Sequence, residues 1–235
     1  MPIKAKLSKT GRPIAIEDQV RDALARLDKL STKTIRQGMT RYGIVTADKT
    51  LGVSMANVRM LAKSLGRDHK LAEALWNTGV YEARMLTAFV GEPERVTAAQ
   101  MDRWARGFDN WATCDALCFH LFDRTPHAFA MVEKWSGSEK EFVKRAAFAL
   151  LASLALHRKE LDDSFFIDGL PLIERAATDE RNFVKKGVSW ALRGIGKRRS
   201  PALKTAASKT AKRLAESSHP AARWIGKDAQ RELMK

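Results

Sequence analysis

Asn182-Phe183-Val184-Lys185-Lys186-Gly187-Val188-Ser189-Trp190-Ala191-Leu192-Arg193-Gly194-Ile195-Gly196-Lys197 separates into two faces when wound at about 100° per residue. Val184, Val188, Ala191, Leu192 and Ile195 fall on one side, the apolar stripe that a helix buries. Lys186, Trp190, Arg193 and Lys197, spaced i, i+4, i+7, i+11, lie within about 60° of one another on the opposite side. The segment is therefore a helix with a core face and a basic face. Its opening has an echo 41 residues earlier, where Glu141-Phe142-Val143-Lys144-Arg145-Ala146 aligns with Asn182-Phe183-Val184-Lys185-Lys186-Gly187. There Val143, Ala147, Leu150, Leu151 and Leu154 form the apolar stripe, and Arg145 points away from it along a line shared with Ala149 and Ala152. Two helices in about 40 residues is the unit of HEAT-like solenoids.

Outward from this pair the chain reads as helices throughout. No alternating stretch supports a sheet, and only short apolar runs such as Phe165-Phe166-Ile167 could be strands. Thr97 with Gln100 and Ser138 with Glu141 match the capping box, in which side chains satisfy N–H groups orphaned in the first turn. Thr125-Pro126, Ser200-Pro201 and His219-Pro220 put proline at the first helical position, where its missing N–H costs nothing. Gly43, Gly66, Gly79 and Gly107 stand where helices should stop. The expected helices, twelve or thirteen of them, span about 14–30, 31–42, 54–65, 68–78, 80–90, 97–106, 110–123, 126–135, 138–158, 163–177, 181–198, 200–217 and 220–234. Basic residues recur near the starts of long helices, at Arg84, Arg145, Lys186 and Arg223, with Asp115 filling a gap. The expected architecture is all-α: a curved right-handed solenoid of HEAT-like repeats forming one domain over 1–235, with 1–12 as a flexible N-terminal segment.

Composition narrows the function. The 235 residues are 45% hydrophobic and 29% charged, which excludes a disordered or collagen-like chain. No run reaches the roughly 18–20 apolar residues of a membrane span, and Met1-Pro2-Ile3-Lys4-Ala5-Lys6 lacks the apolar stretch of a secretory signal. Two cysteines, Cys114 and Cys118, make no disulfide framework, so a reduced cytosolic compartment is expected. Lys and Arg number 42 against 27 Asp and Glu, a formal surplus of +15, and a polyanion, nucleic acid first, is the expected partner.

The candidate site residues follow from the faces. A helical tryptophan ordinarily packs in the core, but Trp190 sits within the basic stripe, where an aromatic among cations stacks on a sugar or base. Small residues beside Arg145 let a backbone approach, as a phosphate contact needs; the alternative is a solvated arginine or one paired with a carboxylate of the next repeat. Trp111 and Asp115, at i and i+4, share a face near a helix start. An aspartate there complements the helix dipole, and with Cys118, Phe119 and Phe122 on that side it needs partners. Cys114 and Cys118 lack further ligands at zinc spacing. The five histidines form no H-x-x-x-H motif, and P-loop, dinucleotide and G-x-S-x-G signatures are missing. No cofactor or metal is expected.

Trp111-x-x-x-Asp115, then Phe142-Val143-Lys144-Arg145-Ala146-Ala147, then Phe183 through Arg193, in that order, resemble the bacterial DNA alkylation repair glycosylases of the AlkD type. The likeness extends over most of the chain, with Gly52-Val53-Ser54 and Arg59-Met60-Leu61-Ala62-Lys63 near the N-terminus, and Gly187 departs from an expected alanine. The resemblance implies a solenoid that holds duplex DNA in a basic concave cleft and excises cationic N3- and N7-alkylpurines. It implies Asp115, Trp111 and Trp190 as catalytic residues with Arg145 beside them, and Lys144, Lys186, Arg193 and Lys197 join Arg145 as the expected DNA contacts. The expected protein is thus a cytoplasmic, bacterial, monomeric, monofunctional glycosylase acting on alkylated duplex DNA without cofactor. Two alternatives stand beside it: a non-catalytic HEAT-repeat protein that binds DNA structures, and a helical scaffold for an acidic partner.

Overall fold

The computed structural model describes residues 14–234, so the expectation for residues 1–12 lies outside the described residues. These form thirteen α-helices: α1 Ile16–Lys29, α2 Lys33–Gly38, α3 Met55–Leu65, α4 His69–Trp76, α5 Tyr81–Val90, α6 Ala98–Ala105, α7 Trp111–His120, α8 Ala128–Ser136, α9 Glu141–His157, α10 Asp163–Ala176, α11 Asn182–Gly196, α12 Pro201–Ala215 and α13 Pro220–Leu233. Extended pairing among the described residues is limited to one isolated bridge, Lys49 to Val80. None of the helices is long and apolar enough to cross a membrane.

Local chemistry explains the starts. Thr97 accepts from the Gln100 N–H and Ser200 from Leu203, each at 3.2 Å, and Pro201 and Pro220 occupy the first helical positions. Three expectations need correction. Ser138 turns to the Lys140 N–H instead of capping, and the helix begins only at Glu141. Pro126 precedes a further turn, so α8 starts at Ala128. The helix expected over 31–42 tightens after Gly38 into a 3-10 turn, Met39–Tyr42, which ends on left-handed Gly43 at φ 69°.

The described residues divide after Arg95 into two compact units. In the first, α1, α3, α4 and α5 pack together. Buried Glu82 on α5 accepts the N–H groups of Leu51, Gly52 and Val53 at 3.0, 2.7 and 3.3 Å. Gly52 has φ 88°, and a Cβ there would run into the Thr32 carbonyl, so only glycine lets this loop reach the carboxylate.

In the second unit α7, α9, α11 and α13 pack in succession, while α8, α10 and α12 lie against one another and against this row. Val184, Val188, Ala191, Leu192 and Ile195 are fully buried, as their periodicity dictates, each large side chain contributing roughly 1.5–3 kcal/mol. Helix α9 departs from expectation. Ala149 and Ala152 are buried, 0% and 2% exposed, rather than lying along a surface. The backbone they admit is that of α11: a Cβ placed on Gly194 would sit 3.5 Å from the Ala152 Cα, and one on Gly187 3.6 Å from Arg145 Cγ. Small residues on both helices serve close helix packing.

Candidate functional site

Asn110 opens α7 by accepting the Thr113 N–H at 3.0 Å, which fixes Trp111 at the first helical position and Asp115 one turn later. Across from α7, Arg145 on α9 meets Asp115 side-on. Its Nε donates to Oδ1 at 2.9 Å and its Nη2 to Oδ2 at 2.7 Å, while Nη1 donates to the Phe183 carbonyl at 2.8 Å. One guanidinium therefore ties α7, α9 and the start of α11. Arg145 is only 6% exposed, and 16% of the Asp115 side chain remains open.

Burial pushes the Asp115 carboxyl above its ordinary value, and the charge and hydrogen bonds of Arg145 pull it only part of the way back. Burial is the largest influence and works to lower the Arg145 value, but the charge and hydrogen bonds of Asp115, with smaller contributions from the neighbouring cysteines, together outweigh it and leave the arginine more firmly protonated than usual. The fork geometry holds the pair in its charged form. Arg145 thus has a carboxylate of another repeat as its partner, the alternative that the sequence left open.

One turn beyond Asp115, half-buried Phe119 stacks on Trp190 with ring centroids 4.6 Å apart and planes 10° from parallel. Trp190 is consequently half-buried rather than standing free opposite its own core. The two tryptophans, Asp115 and Arg145 gather by three links: the i, i+4 spacing of Trp111 and Asp115, the bidentate pair, and a cleft that Arg145 and Trp190 line together.

The other expected DNA contacts are mostly paired. Lys144 meets Asp179 at 3.1 Å, Arg193 meets Asp228 at 3.5 Å, and Lys197 meets Glu232 at 3.0 Å. Lys186 alone of the five is exposed with no acidic partner among the described residues. Periodicity within α11 locates the basic face correctly but is blind to what α13 sets against it.

Cys114 and Cys118 are buried, their thiols facing the Phe142 and Ala146 carbonyls at 3.6 Å, and burial pushes the Cys118 thiol well above its usual value. Among the described residues no group of three or more His, Cys, Asp or Glu is arranged to hold a metal ion. Sequence reasoning missed two features. Fully buried Asp123 accepts from Ser153 at 2.7 Å and lies 2.5 Å from His157 Nδ1; spacings of 30 and 34 residues approximate a repeat and were the available signal. Trp224, on α13, is 39% exposed and lines the same cleft as Trp190; its signal was the indole beside Arg223, one of the recurrent basic positions.

A family model described as DNA alkylation repair enzyme matches residues 23–224. Among solved structures, one described as belonging to a new family of proteins related to the HEAT-like repeat DNA glycosylases, with affinity for branched DNA structures, superposes with a TM-score of 0.73 at 18% identity, covering 90% of this chain and 94% of that one. A protein from Streptococcus mutans UA159 matches with a TM-score of 0.51 at 16% identity over 91% and 95% of the two chains. At these identities the likeness establishes the HEAT-like repeat fold. No curated protein matches the chain.

Proposed function

This chain belongs to the family of DNA alkylation repair enzymes, and we propose that it acts as a DNA glycosylase, hydrolysing the N-glycosidic bond of cationic N3- and N7-alkylpurines in duplex DNA. The observation that carries the reading is the buried, bidentate Asp115–Arg145 pair beside Trp111 and Trp190 on a basic face. A purine with a fixed positive charge leaves without protonation, so no general acid is required. What remains is stabilisation of an oxocarbenium-like sugar. Asp115 supplies negative charge for that cation and an acceptor that orients the attacking water. Arg145 is a positioning residue: it keeps the carboxylate ionised despite burial and fixes its plane. The electron-rich faces of Trp111 and Trp190 hold the sugar and the cationic base, and Phe119 braces Trp190 from behind.

The pair also supports a second reading. A carboxylate already engaged by two guanidinium N–H groups has fewer lone pairs for water or sugar, which favours a protein that binds DNA structures without excising a base. Incubation with duplex carrying N7-methylguanine, followed by chromatography for free base, separates the two. Wild type is expected to release base, and Asp115→Asn to slow release by about 10²-fold or more while retaining binding. A wild-type protein that binds the duplex and releases nothing establishes the second reading instead.

A further inference from the structure

Successive helices of the row in the second unit repeat their register. Arg145 on α9 answers to Lys186 on α11, 41 residues on, and Lys186 answers to Trp224 on α13, 38 residues further. The buried neighbours agree: Val143, Val184 and Ala222 lie two positions earlier, and all three are buried. The three residues line one open cleft together with Trp190. A position occupied by cations in two repeats thus carries an indole in the last.

Trp224 differs from the other five tryptophans. Trp76, Trp104 and Trp135 are buried, Trp111 and Trp190 are half-buried, and Trp224 alone is exposed. Lys185 Nζ sits 4.9 Å from its ring centroid, a cation–π contact, and the indole, 39% exposed, also lines the cleft. Around it stand exposed Lys186, together with Arg193 and Arg231, whose charges Asp228 partly balances. An exposed indole among cations can bind a single nucleotide, the ring stacking on the base and a lysine taking the phosphate, although Asp228 and Glu232 line the same cleft.

We propose that Trp224 and Lys186, respectively two repeats and one repeat beyond Arg145, form a stacking subsite for an unpaired nucleotide of DNA. The ligand is unpaired because both faces of a base within a duplex are covered by its neighbours. A bulged, gapped or mispaired nucleotide offers the free face that Trp224 requires. The subsite rests on the reading that this basic face meets DNA, and it needs no catalysis.

The test measures fluorescence anisotropy of a labelled duplex and of the same duplex with a one-nucleotide bulge, for wild type, Trp224→Ala, Trp224→Phe and Trp224→Lys. Wild type should prefer the bulge by about tenfold, the range that one stacked base supplies. Trp224→Ala and Trp224→Lys should bring that ratio close to one, and Trp224→Phe should retain most of it. The lysine variant matters because it keeps electrostatic attraction while removing the stack. Equal ratios in wild type and Trp224→Ala, or a parallel loss on both DNAs, overturn the subsite. Wild type that binds neither DNA overturns the proposed function itself, so the two failures are distinguishable.

Discussion

Asp115 and Arg145 form a unit whose members cannot be altered singly without consequence for folding. Removing one partner of a buried pair leaves the other charge uncompensated, at a cost of about 3–5 kcal/mol. Asp115→Asn is therefore expected to lower thermal stability as well as activity, and Arg145→Gln to do the same through the opposite charge. The double variant should lose less stability than the two single losses combined, because neither charge is then stranded. Thermal melts of the four proteins check this, and additive losses would show the pair to be energetically uncoupled. This bears on the activity assay: excision by Asp115→Asn must be measured well below its own melting temperature. At this scale the sequence marks candidate residues but not how they meet. The spacing of Trp111 and Asp115 is visible in one helix, whereas the fork joining Asp115 to Arg145 spans 30 residues and depends on how closely α7 approaches α9. Trp190 shows the same limit, since the ring it stacks on, Phe119, belongs to another helix.

At the scale of elements, the link between α10 and α11 illustrates how a repeat is clamped to its neighbour. Asp179 accepts from Lys144 on α9 and from the Arg181 backbone and guanidinium, and Arg181 in turn donates to the Glu139 carbonyl just before α9. The Arg181 hydrogen bonds lead in drawing the Asp179 carboxyl down from 3.8 to about 2. A carboxyl depressed by folding stabilises the native state fully above its unfolded value and loses that contribution as pH falls toward its folded one. Stability of about 2 kcal/mol should disappear between pH 4 and pH 2, and Asp179→Asn should flatten that part of an acid titration followed by circular dichroism. An unchanged acid limb in the variant would remove Asp179 from the clamp. Helix existence and order were legible because caps, prolines and the apolar period agree. The misplaced starts at Ser138 and Pro126 were not, because the same hydroxyl or ring serves a turn as readily as a cap. The surface assigned to Ala149 and Ala152 was wrong for a related reason: small apolar residues read alike whether solvent or a second helix lies over them.

Across the whole molecule the 42 Lys and Arg overstate the cations free to meet a phosphate backbone, since several cations of the expected interface already face carboxylates. Binding to undamaged duplex is expected to weaken steeply with salt, each phosphate contact contributing about 0.9 to the log–log slope. Lys186→Ala should reduce that slope by about 1. Lys197→Ala should change it less, because Glu232 competes for the same ammonium. Equal changes would mean that DNA displaces the carboxylate without cost, and salt-insensitive binding would return attention to an acidic protein partner. The buried thiols have a different bearing on a chain of this family. Electrophiles that methylate purines also attack sulfur, and they do so through the thiolate. Cys118 is 0% exposed, its ionisation is suppressed by burial, and Cys114 is likewise sealed inside. The folded protein should therefore survive a dose of methyl methanesulfonate with both sulfurs unmodified by mass spectrometry, while the denatured chain is labelled at each. A chain of this family built this way is expected to keep both sulfurs intact under the methylating conditions that damage DNA.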